Sequence, residues 1–499
     1  MQTHPLIDLT VQDESRLERA VTRARENHVI IPTFRQMTDP DSIPGAIRHK
    51  LSGTGLWDLD PVNLFRINWH NRPQPRGGQF GRVNFMEFPR EITGVEARII
   101  ALIGKWFPTG THKVGAAFGC LVPRLVTGRF DPTTQKAVWP STGNYCRGGA
   151  YDSTLLSCDS IAILPEGMSK ERFEWLNRIA GETIKTPGSE SNVKEIFDKC
   201  RELRQSGQDL VIFNQFDEFG NYMWHYEVTG RAMMEVLGHT MGSGDVFRGL
   251  AVTTGSAGTI ASGDYLKTHF PGSKIAASEA LQCPTLLNNG FGSHRIEGIG
   301  DKHVPWVHNL KNTDLVTGID DQATMAIMRL FNEPNGQACL SRNGVPAEII
   351  ENLNLIAISG IANLLSAVKM AKYYELGKSD IVLTVATDSM EMYQSRLDAM
   401  RQEEGEFTDR DAAGAYERYL LGADISHVQE LGYYDRKRIH NLKYYTWVEQ
   451  QGKTYDEIQA QWYDENYWAG ARNRMQELDA LIDAFNERTG LQKNGAPPG

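Results

Sequence analysis

The sequence predicts an α/β protein of two open-sheet domains with an extension at each end. Short β-rich runs alternate with helical stretches between Lys136 and Asn214, and the alternation resumes from Leu250 to Val385. Glycine-rich turns stand where predicted strands hand over to predicted helices. A chain of 499 residues has room for two or three domains, and 40% hydrophobic with 23% charged residues is the ordinary balance of a globular protein with a large core.

In chain order, residues 1–60 are polar and interrupted by Pro32, Pro40, Pro44 and Gly45, so they read as an extension without assigned chemistry. Lys136 to Trp139 reads as extended up to Pro140, Ser160 to Leu164 as a strand, and Lys170 to Ile179 as a helix. Glu190 to Ser206 reads as a further helix and Leu210 to Phe213 as a strand. Leu250 to Thr253 is a predicted strand, Thr259 to His269 a helix, and Lys274 to Ser278 and Asp380 to Val385 strands. This organisation divides the chain into an extension over 1–60, a larger domain over 61–133 and 240–400, and a smaller domain over 134–239. An aromatic-rich helical extension follows over 401–499 and ends in a short Gly/Pro tail from Asn494. Its tyrosines and tryptophans, among them Trp447 and Trp462, are expected to pack on the body or across a dimer interface.

The formal charge of -10 disfavours nucleic acid and anionic membranes as partners. Six dispersed cysteines without a C-x-x-C pair or a zinc-like His/Cys cluster indicate reduced thiols and no metal site. No secretory leader pattern stands between Met1 and Arg19 and no apolar window is long enough to span a bilayer, so a cytoplasmic protein is expected.

Four segments carry candidate chemistry. Phe107 to Gly115 places Lys113 in a turn of small residues that opens an apolar helical run; in a dry pocket such a lysine loses its proton and attacks carbonyls. Thr253 to Gly263, between a predicted strand and a predicted helix, has the form of a phosphate cradle, with Ser256 and Thr259 as hydroxyl donors. It has neither the P-loop Gly-Lys-Ser/Thr ending nor the dinucleotide fingerprint, and no acidic residue follows in the setting a Rossmann fold requires. Pro140 to Tyr145 offers hydroxyls, an amide and backbone N–H groups to a carboxylate, and an Asn at such a place also serves as a plain helix cap. Ser359-Gly360 opens the apolar helix Ile361 to Ala371, where the serine has the same capping alternative.

Taken together and in this order, the four segments resemble the β-family, or fold type II, of pyridoxal-phosphate enzymes, in its cysteine synthase and cystathionine β-synthase branch. Phe88-Pro89, Ser169 and Arg172, Gln215-Phe216, Thr229-Gly230, Asp388-Ser389 and Tyr393 extend the resemblance over residues 60 to 400. It implies the tryptophan synthase β-like architecture, with pyridoxal 5'-phosphate between the domains and a homodimer as the assembly. It implies that Lys113 forms the internal aldimine, that Gly255, Ser256, Ala257, Gly258 and Thr259 surround the cofactor phosphate, and that Asn144 meets the ring hydroxyl. Ser359 then faces the pyridine nitrogen, Ser141, Thr142 and Tyr145 grip the substrate carboxylate, and Ser293 to Gly300 lies near the mouth of the site. The implied reaction is β-elimination or β-replacement on a cysteine- or serine-like amino acid through an aminoacrylate, as in a cysteine desulfhydrase or cysteine synthase. Threonine or serine dehydration and an inactive binding module remain alternatives. Three departures from the family pattern, His112 before the lysine, Tyr145 in place of a threonine, and Arg147, mark where substrate choice is expected to differ.

Overall fold

The computed structural model describes residues 6–188 and 192–491, so the start of the helix expected from Glu190 and the Gly/Pro tail lie outside the described residues. Strands β1 (Phe85–Phe88) and β2 (Arg98–Ile103) form an antiparallel pair. Next come β3 (Lys136–Pro140), β4 (Asp159–Pro165), β5 (Glu182–Thr186) and β6 (Leu210–Ile212), an all-parallel sheet in the order β5-β4-β3-β6. The chain then returns through β7 (Val246–Thr253), β8 (Lys274–Ala280), β9 (Leu315–Ile319), β10 (Asp380–Ala386) and β11 (Val428–Glu430). These complete a seven-stranded sheet ordered β1-β2-β10-β7-β8-β9-β11.

The central strands β7, β8 and β10 are buried along most of their length, as expected where helices cover both faces of a parallel sheet. Both edges are antiparallel, through β1 and β11. That arrangement corrects one expectation: the C-terminal extension is not purely helical, because Val428–Glu430 pairs with Leu315–Thr317 and finishes the large sheet. Three residues are too short a run to show a period in the sequence, so only the partner strand defines them.

The helices that shape and support the site are α1 (Glu14–Glu26), α2 (Lys113–Val126), α3 (Asn144–Leu155), α4 (Lys170–Ile179), α5 (Ile260–His269), α6 (Ile358–Tyr373), α7 (Gln394–Glu404) and α8 (Asn466–Thr489). Helix α6 is buried from Ile358 through Ala371; most of it is apolar, and its buried Asn363 and Lys369 donate to the carbonyls of Val385 and Asp424. Among the described residues, the segment after α1 meets α8. Asn486 on α8 donates to Ile31 O and accepts from Ile31 N, Arg25 on α1 donates to the carbonyls of Arg488 and Thr489, and Asp479 accepts from Phe34 N. Among the described residues no helix is long and apolar enough to cross a membrane.

Candidate active site

The site lies beyond the carboxyl ends of β3 and β7, one strand from each sheet, where each hands over to a loop and a helix N-terminus. Before α2, a turn through Pro108–Gly110 takes Thr109 to φ 67° and Gly110 to φ 74°, and a Cβ at Gly110 would stand 2.8 Å from the Trp57 ring. This turn aims Lys113, the first residue of α2, into the cavity. Its Nζ donates to Ser256 Oγ at 3.1 Å. Burial pushes the ammonium down to about 8, against the opposing field of Asp301. His112 is buried beneath it, with Nε2 3.4 Å from Thr259 Oγ1 and its ring 5.0 Å from that of His225. Burial and the neighbouring Lys113 push His112 down to about 3, so it is neutral at physiological pH.

The loop Gly255–Thr259 leads from β7 into α5. Among the described residues, none of its five backbone N–H groups donates a hydrogen bond within the protein, and together with the positive end of α5 they form an anion cradle. Ala257 is held at φ 61°. A Cβ at Gly258 would fall 2.1 Å from Asn221 Oδ1, and Asn221 Nδ2 in turn donates to Ser256 Oγ at 3.0 Å. Glycine is therefore required at 258 for Asn221 to hold the loop.

Opposite, Ser141 Oγ accepts from Gly143 N and Gln215 Nε2, which leaves its own hydrogen for a ligand. Thr142 and Asn144 line the same cavity at the N-terminus of α3. Asn144 Nδ2 donates to Asp388 Oδ2 at 2.6 Å. Tyr145 also lines it, but its ring packs edge-on against Trp139 at 5.4 Å, and the phenol lies deep beside Cys120. Ser359, near the start of α6, also lines the cavity, as does Thr387. The cavity thus gathers all of Lys113, Ser141, Thr142, Asn144, Tyr145, Gly255, Ser256, Ala257, Gly258, Thr259 and Ser359.

Arg147 is not on the cavity. It is fully buried, donates to Thr109 O at 2.7 Å, and stacks over Trp175 at 4.8 Å, so it braces the turn before Lys113. Three residues were not legible as site residues: Asp301 and Thr387, which line the cavity, and Asn221 behind the loop. Asp301 stands one residue past the Ser293–Gly300 segment, and burial raises its carboxyl to about 7. Its place beside that segment was the only available signal.

A family model described as "Pyridoxal-phosphate dependent enzyme" matches residues 106–345, a span that contains Lys113, Asn144 and the Gly255–Thr259 loop. Over that span the chain is similar to the pyridoxal-phosphate dependent enzymes, and it shares the fold of their fold type II members. A cysteine synthase of Staphylococcus aureus is 27% identical to the enzyme over 289 residues, covering 58% of this chain and 84% of that one. A cystathionine β-synthase of Saccharomyces cerevisiae is 25% identical over 313 residues, or 61% of this chain and 58% of the relative. A solved structure of a hydrogen sulfide-producing enzyme from Fusobacterium nucleatum shares the fold, with TM-score 0.54, 23% identity, and coverage of 70% of this chain and 95% of that one.

The residues present fit the cofactor of this family, pyridoxal 5'-phosphate. The cradle of free N–H groups suits its phosphate, the depressed amine suits its aldehyde, and both open on the same cavity. All six cysteines are buried and unpaired. Among the described residues no group of three or more His, Cys, Asp or Glu side chains could hold a metal ion.

Proposed function

We propose that the enzyme carries out β-elimination or β-replacement on a cysteine- or serine-like amino acid, with Lys113 as the group that holds the cofactor and moves the Cα proton. The observation that carries this reading is the contact of Lys113 Nζ with Ser256 Oγ, which sets the amine at the rim of the phosphate cradle and across from the Ser141–Asn144 loop. Bound there, pyridoxal phosphate supplies the electron sink for the Cα–H bond.

The chain's own groups do the rest. Gly255–Thr259 and the N-terminus of α5 hold the phosphate. Asn144 would meet the ring hydroxyl, and Ser359 would offer a neutral hydroxyl to the ring nitrogen, which would keep the electron withdrawal moderate and favour prompt loss of a β-substituent. Ser141, Thr142 and the N-terminus of α3 grip the substrate carboxylate. Lys113, with its amine near 8, takes the Cα proton as a general base and returns one when a nucleophile has added. The cysteine synthase and cystathionine β-synthase relatives support chemistry at the β-carbon. The smaller domain closing on the bound carboxylate would exclude water during the reaction.

Purified enzyme should absorb in the visible, and Lys113→Ala should abolish that band and lower turnover by about 10²–10⁴. Incubation with cysteine, O-acetylserine plus sulfide, serine, and threonine, with assay of sulfide, pyruvate, 2-oxobutyrate and new amino acids, separates elimination, replacement and dehydration. A wild type that stays colourless after reconstitution would sink the proposal. The same reading includes a homodimer, tested by sedimentation of the full chain, and a reducing compartment such as the cytoplasm, in keeping with six buried thiols.

A further inference from the structure

Helix α4, which follows β4 of the four-stranded sheet, meets the start of α7, which follows β10 of the large sheet, along a seam of buried charge. Arg172 on α4 is fully buried, and its Nη1 lies 2.8 Å from Glu297 Oε2 of the loop behind the cavity. The same guanidinium donates from Nη2 to Tyr393 Oη at 2.7 Å and from Nη1 to Thr142 O at 3.0 Å. Tyr393 Oη donates to Asp388 Oδ2 at 2.7 Å, the oxygen that accepts from Asn144 Nδ2. A Cβ at Gly143 would stand 2.5 Å from Arg172 Nη1, so the guanidinium lies flat on the loop only because residue 143 has no side chain. Around this centre, Glu171 accepts from Ser395 N and Oγ at 2.7 and 2.6 Å, and Arg396 bridges Glu297 and Gly167 O.

We propose that Arg172 is a positioning residue through which docking of the smaller domain on the larger sets the geometry of Asn144 and of the carboxylate-gripping loop. The proposal rests on the functional reading above. Three branches of the network around Arg172 end on walls of the cavity: Thr142 directly, Asn144 through Tyr393 and Asp388, and Gly298 as the neighbour of Glu297. A buried guanidinium and carboxylate held apart from water are costly to separate, so the docked seam fixes the loop segments it touches. Substrate carboxylate binding to the Ser141–Asn144 loop then favours the docked arrangement, and by linkage the docked seam tightens substrate binding by the same factor.

The test uses the holoenzyme, with L-serine titrated against its visible absorption. Tyr393→Phe removes the phenol that joins Arg172 to Asp388 and keeps the ring. It should melt within a few degrees of wild type, keep its cofactor with a displaced absorption maximum, and bind serine about tenfold more weakly, with KM raised and kcat changed less. Arg172→Met and Glu297→Gln should each weaken serine binding, the double variant should be no weaker than the worse single, and Arg172→Lys should recover part of the loss. Unchanged serine affinity in a folded Tyr393→Phe enzyme, or independent multiplication of the two single effects, would overturn the proposal while leaving the functional reading intact. A wild-type band that responds to no amino acid would overturn that reading and this proposal with it.

Discussion

Lys113 and Asp301 face one cavity, and burial moves both toward neutrality: the amine down to about 8, the carboxyl up to about 7. The signs of their contributions to stability differ. Between the ordinary carboxyl value of 3.8 and about 7, native protein binds more protons at Asp301 than unfolded chain does, so stability falls as pH rises through that window. Between about 8 and 10.5 the unfolded chain binds more protons at Lys113, so stability rises with pH there. In cofactor-free protein, Asp301→Asn should flatten the first slope and make the variant more stable than wild type above neutrality by ~1–3 kcal/mol, read by urea unfolding across the pH range. Lys113 was legible because its turn of small residues is a local pattern. Asp301 was not, because an acidic residue after a glycine becomes special only when the fold closes a lysine over it.

At the level of elements, the loops after β3 and β7 were legible because strand, small residues and helix follow one another in sequence, and the anion cradle is a property of that local succession. What fixes the cradle's shape is not local. Asn221 holds Ser256 from a different element, and glycine at 258 leaves it the room. Gly258→Ala should displace Asn221, with secondary structure unchanged by circular dichroism and cofactor affinity lowered about 5- to 150-fold, corresponding to the ~1–3 kcal/mol typical of overpacking. Arg147 shows the reverse case. Its position beside the carboxylate loop left open either a contact with substrate or an exposed structural role; α3 turns it inward instead, where Thr109 O and the Trp175 ring take the charge. Helical phase and tertiary packing decided the matter, and neither is readable from spacing to the motif.

Across the whole molecule, the C-terminal extension is structural tissue as much as appendage. Trp447 is fully buried and donates to Val304 O at 2.8 Å, a few residues past the loop that carries Asp301. Lys443 is buried with its ammonium shared among Trp306 O, His308 O and Gln461 Oε1. Trp447→Ala should lower stability by ~3–5 kcal/mol, measured by thermal melting, and loosen the segment behind Asp301. Truncation after residue 400 should give aggregated protein in a solubility assay, because β9 loses its β11 partner and becomes an exposed edge. The aromatic richness of this region was visible in sequence. Its division into buried anchors such as Trp447 and exposed rings such as Tyr434 follows from which face of each helix meets the body.

The pairing of β11 with β9 also has a temporal side. A ribosome delivers residues 428–430 well after β9 has emerged, and α8, which clasps the region just after α1, comes later still. Until then the large sheet has a bare edge and the amino-terminal helix lacks its partner. Contacts across so long a separation form slowly, because the loop must close before any contact rewards it. The nascent enzyme therefore passes through a stage with its lysine and phosphate loop already synthesised but its outer frame unfinished, and that stage is where a chaperone, or the cofactor itself, has most to contribute to yield.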